Sequence, residues 1–296
     1  MNWRDRCTLH HGDYRETLAL ADGKADLVFT SPPYCDARTY SMDCNWTMDD
    51  YAALGDAVFA ALRPGGHALI NVDAPVREWR PGFGTERGFH PWRMMLDWAE
   101  RVGFRVPDRL AFGRMGLPGH WPNRLRNDWE PLLWFQRPGN GWMAPDALVK
   151  PARWPEGGRI DSATFRDADG EVRRKDRSGY DSIRVGTFWD YGAVGGGQTG
   201  APDIEAQNHP ARWPYKLAED IVRCFCPPDG LAVDPFVGAG TSAAAALEHG
   251  RRFIGGDLGS RAADSERRLD GVPWVEVTAR VLDERFRQVR LFGGGR

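Results

Sequence analysis

Apolar residues along the chain fall into short unbroken blocks and longer stretches in which they return at helical spacing. Ala25-Asp26-Leu27-Val28-Phe29-Thr30 is a block of the first kind and reads as a buried strand. Behind it, Thr47-Met48-Asp49-Asp50 forms a helix cap, and Tyr51, Leu54, Val58 and Leu62 recur on one helical face. Arg63-Pro64-Gly65-Gly66 is expected to end that helix, and His67-Ala68-Leu69-Ile70-Asn71-Val72-Asp73 to form the next strand. The alternation continues with a helix opened by Pro91, carrying Met94, Leu96, Trp98 and Val102 and closed by Gly103. Strands follow at Arg109-Leu110-Ala111-Phe112 and Trp129-Glu130-Pro131-Leu132-Leu133-Trp134-Phe135, then a helix with Leu217, Ile221, Val222 and Phe225 on one face. A last unit comprises Leu231-Ala232-Val233, a helix through Leu247, a strand ending at Asp257 and a helix from Arg261 to Leu269. Strand–helix–strand repetition predicts an α/β fold with a doubly wound, mostly parallel sheet. Val275 to Phe292 shows no decisive pattern.

Two interruptions carry more than turn chemistry. Asp234-Pro235-Phe236-Val237-Gly238-Ala239-Gly240-Thr241 lies between a buried strand and Ser242-Ala243-Ala244-Ala245-Ala246-Leu247, a helix start. Gly238 and Gly240 let the backbone approach a ligand without a Cβ in the way, and the helix behind them offers unpaired N–H groups. Asp257 closes the next strand at the distance usual for an acid that accepts from ribose hydroxyls. Far upstream, the strand ending at Thr30 runs into Ser31-Pro32-Pro33-Tyr34, where two prolines cannot continue a ladder. A rigid loop at a strand end is where open α/β sheets keep their chemistry.

Taken together, these stretches resemble the amino-methylating DNA methyltransferases. Their catalytic loop reads Ser or Asp followed by Pro-Pro-Tyr, and their S-adenosylmethionine turn reads Asp-Pro-Phe-x-Gly-x-Gly-Thr. The loop precedes the turn here, as in the permuted, beta-class branch, and the resemblance runs from Gly12-Asp13 to about Leu269. It implies a Rossmann-like methyltransferase sheet made of a catalytic half (1–136) and a cofactor-binding half (209–296), with an irregular target-recognition insertion (137–208) between them. It also implies catalytic roles for Ser31, Pro32, Pro33 and Tyr34. The implied cofactor contacts are Asp13, Thr30, His209, Pro210, Asp234, Pro235, Phe236, Gly238, Gly240, Thr241, Ser242 and Asp257. Asp13 is expected near the adenine and His209-Pro210 at the methionine end, where the family's lysine before the second proline is Trp213. The strand containing Glu130 resembles a family strand with a glutamate ahead of an apolar run.

Composition narrows the partners less than the motifs do. A net charge of −2 lacks the basic excess of a simple nucleic-acid-binding domain, although a local cleft on a neutral protein can be positive. The five cysteines form no metal-ligand pattern and read as free thiols of a reducing cytoplasm, in a bacterial or phage-encoded protein without a membrane span. No metal is expected. Between Arg137 and Asn208 Gly, Pro, Arg and Asp dominate, and Arg173-Arg174-Lys175 is the most basic cluster, a candidate phosphate contact with Arg38 and Tyr40. Arg114 to Arg126 is a second candidate DNA-contacting loop.

The resemblance implies methyl transfer to an amino group of a base in double-stranded DNA. The Ser31 hydroxyl and the Pro32 carbonyl would accept the amino protons and localise the nitrogen lone pair. Tyr34 would offer an aromatic face to a base that has left the stack. Ring-carbon methylation needs a cysteine nucleophile, typically in a Pro-Cys pair, and the chain has none. Serine at the first loop position points to cytosine N4, with adenine N6 as the alternative. A non-catalytic DNA-binding module with the same fold, and methylation of RNA or protein, are further readings. A companion restriction endonuclease is compatible with the resemblance.

Overall fold

The computed structural model describes residues 2–34, 46–74, 76–80, 84–115, 125, 127–151, 164–174, 182–193, 213–258 and 273–292. In chain order, the first half contains β1 (Cys7–His11), α1 (Tyr14–Ala19), β2 (Ala25–Thr30), α2 (Met48–Ala61), β3 (Leu62–Asn71), β4 (Val76–Arg80), β5 (Gly84–Arg87), α3 (His90–Asp97), β6 (Arg109–Met115) and β7 (Trp129–Gln136). Short strands β8 (Val149–Pro151), β9 (Thr164–Arg166), β10 (Val172–Arg174) and β11 (Ser182–Arg184) follow, then β12 (Phe188–Ala193). The second half supplies α4 (Tyr215–Phe225), β13 (Leu231–Asp234), α5 (Thr241–Glu248), β14 (Arg252–Asp257) and α6 (Trp274–Phe292).

Eight strands form one sheet in the order β1-β14-β13-β2-β3-β7-β6-β12. It is parallel except at β7, which runs against both β3 and β6. Alternation along each strand sends successive residues to opposite faces. Leu27, Phe29, Leu69, Ala232 and Phe253 therefore pack with α4, α5 and α6, whereas Val28, Ile70, Val233 and Ile254 pack with α1, α2 and α3. Both faces are covered, which is why the central strands are mostly apolar and β2 and β13 are buried along their length.

The structure corrects one sequence expectation and adds detail to two others. The Arg63-Pro64-Gly65-Gly66 run does not separate α2 from the next strand but lies inside β3. Leu62 pairs with Ala25 and His67 with Leu27, so the run bulges out while the register resumes, and Arg63 Nε donates to Asp26 Oδ1 at 2.5 Å. The interval 137–208, expected to be an irregular insertion, contains short strands in its described parts. Antiparallel pairs β8/β11 and β9/β10 occupy it, and β12 joins the main sheet beside β6 with Trp189 buried. Finally, Trp274–Phe292 is a helix whose Val275, Val277, Val281 and Leu282 are buried. The helix expected from Arg261 to Leu269 lies outside the described residues.

Candidate active site

The parallel strands β1, β14, β13 and β2 end along one edge, so the segments after them lie side by side. Thr30, at the end of β2, donates through Oγ1 to Asp234 Oδ1 at the end of β13 (2.5 Å). Ser242 Oγ donates to Asp234 Oδ2 (2.5 Å), and the Phe236 N–H to Oδ1 (3.0 Å). Burial raises the Asp234 carboxyl to about 6, against the pull of these hydrogen bonds. Thr30, Asp234 and Ser242, all buried, thus face one another and tie the glycine turn to the end of β2.

Asp257 sits where its strand position implies. The Val237 N–H bonds the Gly256 carbonyl at 2.9 Å, and the Gly238 N–H bonds Asp257 Oδ2 at 3.0 Å. Asp13 lies just past the end of β1, whose last residue His11 pairs with Asp257, and caps α1 by accepting from the Arg15 N–H at 2.9 Å. Phe236 is partly exposed and its ring lies 5.6 Å from Tyr14 and 5.4 Å from Trp46. Gly238 and Gly240 have φ of +48° and +83°, so the turn needs glycine at both positions. At Gly240 the reason is not space for a ligand: a Cβ there would lie 2.8 Å from Thr278 Cγ2 of α6. Two carboxylates, an aromatic ring, a left-handed glycine turn and the N-terminus of α5 are a donor and acceptor set that fits an adenosine bearing an amino-acid tail.

The Ser31-Pro32-Pro33-Tyr34 loop is braced from three sides. Tyr51 Oη donates to the Pro33 carbonyl at 2.9 Å. Tyr34 is buried, and its hydroxyl lies 3.1 Å from Asn71 Oδ1, 3.3 Å from Glu130 Oε2 and 3.5 Å from Ser31 Oγ. Asn71 donates in turn to Glu130 Oε2 (3.2 Å) and the Pro131 carbonyl (3.1 Å), while Trp213 Nε1 donates to Asn71 Oδ1 (3.2 Å). The end of β3, the start of β7 and a residue just before α4 are thereby tied to the loop. In the sequence Asn71 reads only as a strand position and Tyr51 only as a helix-face residue. A lone amide in an otherwise apolar run was the available signal for Asn71.

Pro32 is buried and Pro33 partly so, and Pro235 and Thr241 lie within the turn. His209, Pro210, Arg38, Tyr40 and Lys175 fall outside the described residues, as does the side chain of Arg174. Most of the second candidate DNA-contacting loop, residues 116–124 and 126, falls outside them too. Arg173 is not brought to this edge by any described contact; its guanidinium pairs with Asp167 at 2.6 Å. Among the described residues no group of three or more His, Cys, Asp and Glu is placed to hold a metal ion, and no helix is long and apolar enough to cross a membrane.

An open sheet edge of this form suits a nucleotide-like cofactor, and residues 25–266 match the family model described as DNA methylase; the chain belongs to that N6/N4 DNA methyltransferase family. The chain is 26% identical over 245 residues to the orphan methyltransferase M.BamHII of Bacillus amyloliquefaciens, covering 83% of this chain and 88% of that protein. Its fold is similar to that of the PvuII DNA methyltransferase (cytosine-N4-specific), with a TM-score of 0.60 and 17% identity over 94% of this chain and 93% of that one. It is also similar to TTHA0409, a putative DNA modification methylase of Thermus thermophilus solved with S-adenosyl-L-methionine: TM-score 0.56 and 22% identity, covering 97% and 95% of the two chains.

Proposed function

We propose that the protein methylates the exocyclic N4 of cytosine in duplex DNA, with S-adenosylmethionine as donor, by direct in-line transfer to a base rotated out of the helix. The observation that carries this reading is the Thr30–Asp234 hydrogen bond, which joins the Ser-Pro-Pro-Tyr loop to the glycine turn across neighbouring strand ends. S-adenosylmethionine, when bound, supplies an electrophilic methyl group on a sulfonium.

The remaining work falls to the chain. Asp257 is the acceptor for ribose hydroxyls and Asp13 for the adenine amino group, and the turn supplies backbone N–H donors. An exocyclic amine is a poor nucleophile because its lone pair is delocalised into the ring. The Ser31 hydroxyl and the Pro32 carbonyl would accept hydrogen bonds from its two N–H groups and turn the lone pair out of conjugation; as the N–C bond forms and the carbon–sulfur bond breaks, one of the two protons leaves the nitrogen to solvent. Proline rings and the Tyr51 bond to the Pro33 carbonyl hold this geometry before the base arrives, so little ordering is left to binding. Tyr34 meets the base from the other end of the loop. A hydroxyl at position 31 can also donate to cytosine N3, which an ionised carboxylate there could not do.

Nucleoside mass spectrometry of DNA incubated with wild-type protein and with Ser31→Ala tests the reading. N4-methylcytosine from the wild type, lost in the variant with the fold intact, is the expected result. N6-methyladenine would assign the other base of the family, and unmodified DNA across varied duplexes would favour a non-catalytic DNA-binding module.

A further inference from the structure

The family match ends at residue 266, and α6 begins beyond it at Trp274, yet this helix reaches the centre of the site. Thr278 is fully buried, and its Oγ1 donates to the Gly238 carbonyl at 2.8 Å. Its methyl group fills the direction that a Cβ on Gly240 would take. The C=O and N–H of a trans peptide point in opposite directions. Drawing the Gly238 oxygen toward α6 therefore turns the Ala239 N–H away from the helix. Among the described residues that N–H has no acceptor, although Ala239 is only 6% exposed. A donor on so buried a residue, with no acceptor among the described residues, is open to a ligand atom.

The helix that carries Thr278 is itself firmly anchored. Asp283 accepts from Arg4 at 2.6 and 2.8 Å and from Trp3 Nε1 at 3.0 Å, which ties α6 to the N-terminal turn. Arg285 lies 4.3 Å over the Tyr215 ring of α4 and pairs with Glu248 of α5. Thr278 is thus presented from a frame fixed at three points.

We infer that Thr278 is a positioning residue of the cofactor site: its hydroxyl sets the Gly238–Ala239 peptide so that the Ala239 N–H is available to the bound cofactor. The inference rests on the reading of this turn as the S-adenosylmethionine site. Without the hydroxyl, the Gly238 carbonyl is left buried and unpaired, and the turn relaxes to other conformations. A competent fraction of about one tenth raises the apparent Kd about tenfold.

Isothermal titration of S-adenosylmethionine into the full chain tests this in wild type, Thr278→Val, which keeps the shape, and Thr278→Ser, which keeps the hydroxyl. The valine variant is expected to bind about tenfold more weakly, and the serine variant within about threefold of wild type. In turnover, KM for the cofactor should rise in the valine variant while kcat at saturation and KM for DNA stay unchanged. If Thr278→Val does not fold, Thr278→Ala takes its place against serine. Wild-type affinity in the valine variant, or equal weakening by serine, overturns the role of the hydroxyl. Absence of binding by the wild type overturns the reading of the turn itself, and the inference with it.

Discussion

Replacing Gly240 by alanine probes how tightly the glycine turn and α6 are fitted together. Two separate penalties are expected. The residue has φ +83°, a left-handed conformation that costs an L-residue about 1–2 kcal/mol. The added Cβ would also sit 2.8 Å from Thr278 Cγ2 and 3.2 Å from Oγ1, so α6 must shift or the turn must open. Overpacking of this kind costs about 1–3 kcal/mol. Together the change should destabilise the protein by about 2–5 kcal/mol, to be read from urea midpoints followed by circular dichroism. A second substitution separates the two penalties. Thr278→Ser removes the methyl that gives the shortest contact and leaves the oxygen, so in the double variant the steric part shrinks while the backbone part persists. The cycle should show a favourable coupling of about 1 kcal/mol or more. A Gly240→Ala protein within about 0.5 kcal/mol of wild type, or strictly additive effects, would refute the fit described here.

Other consequences follow from the same contacts. Asp234 has its folded pKa raised to about 6 from 3.8, so its contribution to stability is present below pH 4 and is lost as pH rises through 6. Asp234→Asn keeps hydrogen-bonding groups without the charge, and its stability relative to wild type should rise by about 3 kcal/mol between pH 4 and pH 7; a flat difference across that range contradicts the buried, ionising carboxyl. Tyr34→Phe keeps the ring but removes the hydroxyl beside Asn71 and Glu130, and should cost about 1–2 kcal/mol in thermal or chemical denaturation. An unchanged melting temperature would show that this network does not brace the loop. Asp257→Ala removes the acceptor of the Gly238 N–H and the carboxylate assigned to the ribose, a loss of about 1.5–3 kcal/mol, or roughly 10- to 150-fold in S-adenosylmethionine Kd by titration calorimetry. Undiminished affinity would remove Asp257 from the site.

Much of this molecule is written locally in its sequence. Blocks such as Leu27-Val28-Phe29 are apolar on both faces because both faces are covered, so the alternation of strands and helices is visible without coordinates. The two motif stretches are local as well, since a proline pair or a glycine turn is recognised from neighbouring residues alone. Val275 to Phe292 and the strand Phe188–Ala193 were less legible, because what defines them is packing against elements distant in the chain. The same holds for the contacts that make the site: Thr30 meets Asp234 across 204 positions, Trp213 meets Asn71 across 142, and Thr278 meets Gly238 across 40. A sequence shows that position 240 is glycine, but only the folded chain shows what its missing Cβ would strike. Residue type and spacing determine which elements form, whereas the side on which each buried polar group finds its partner depends on how the sheet orders its strands.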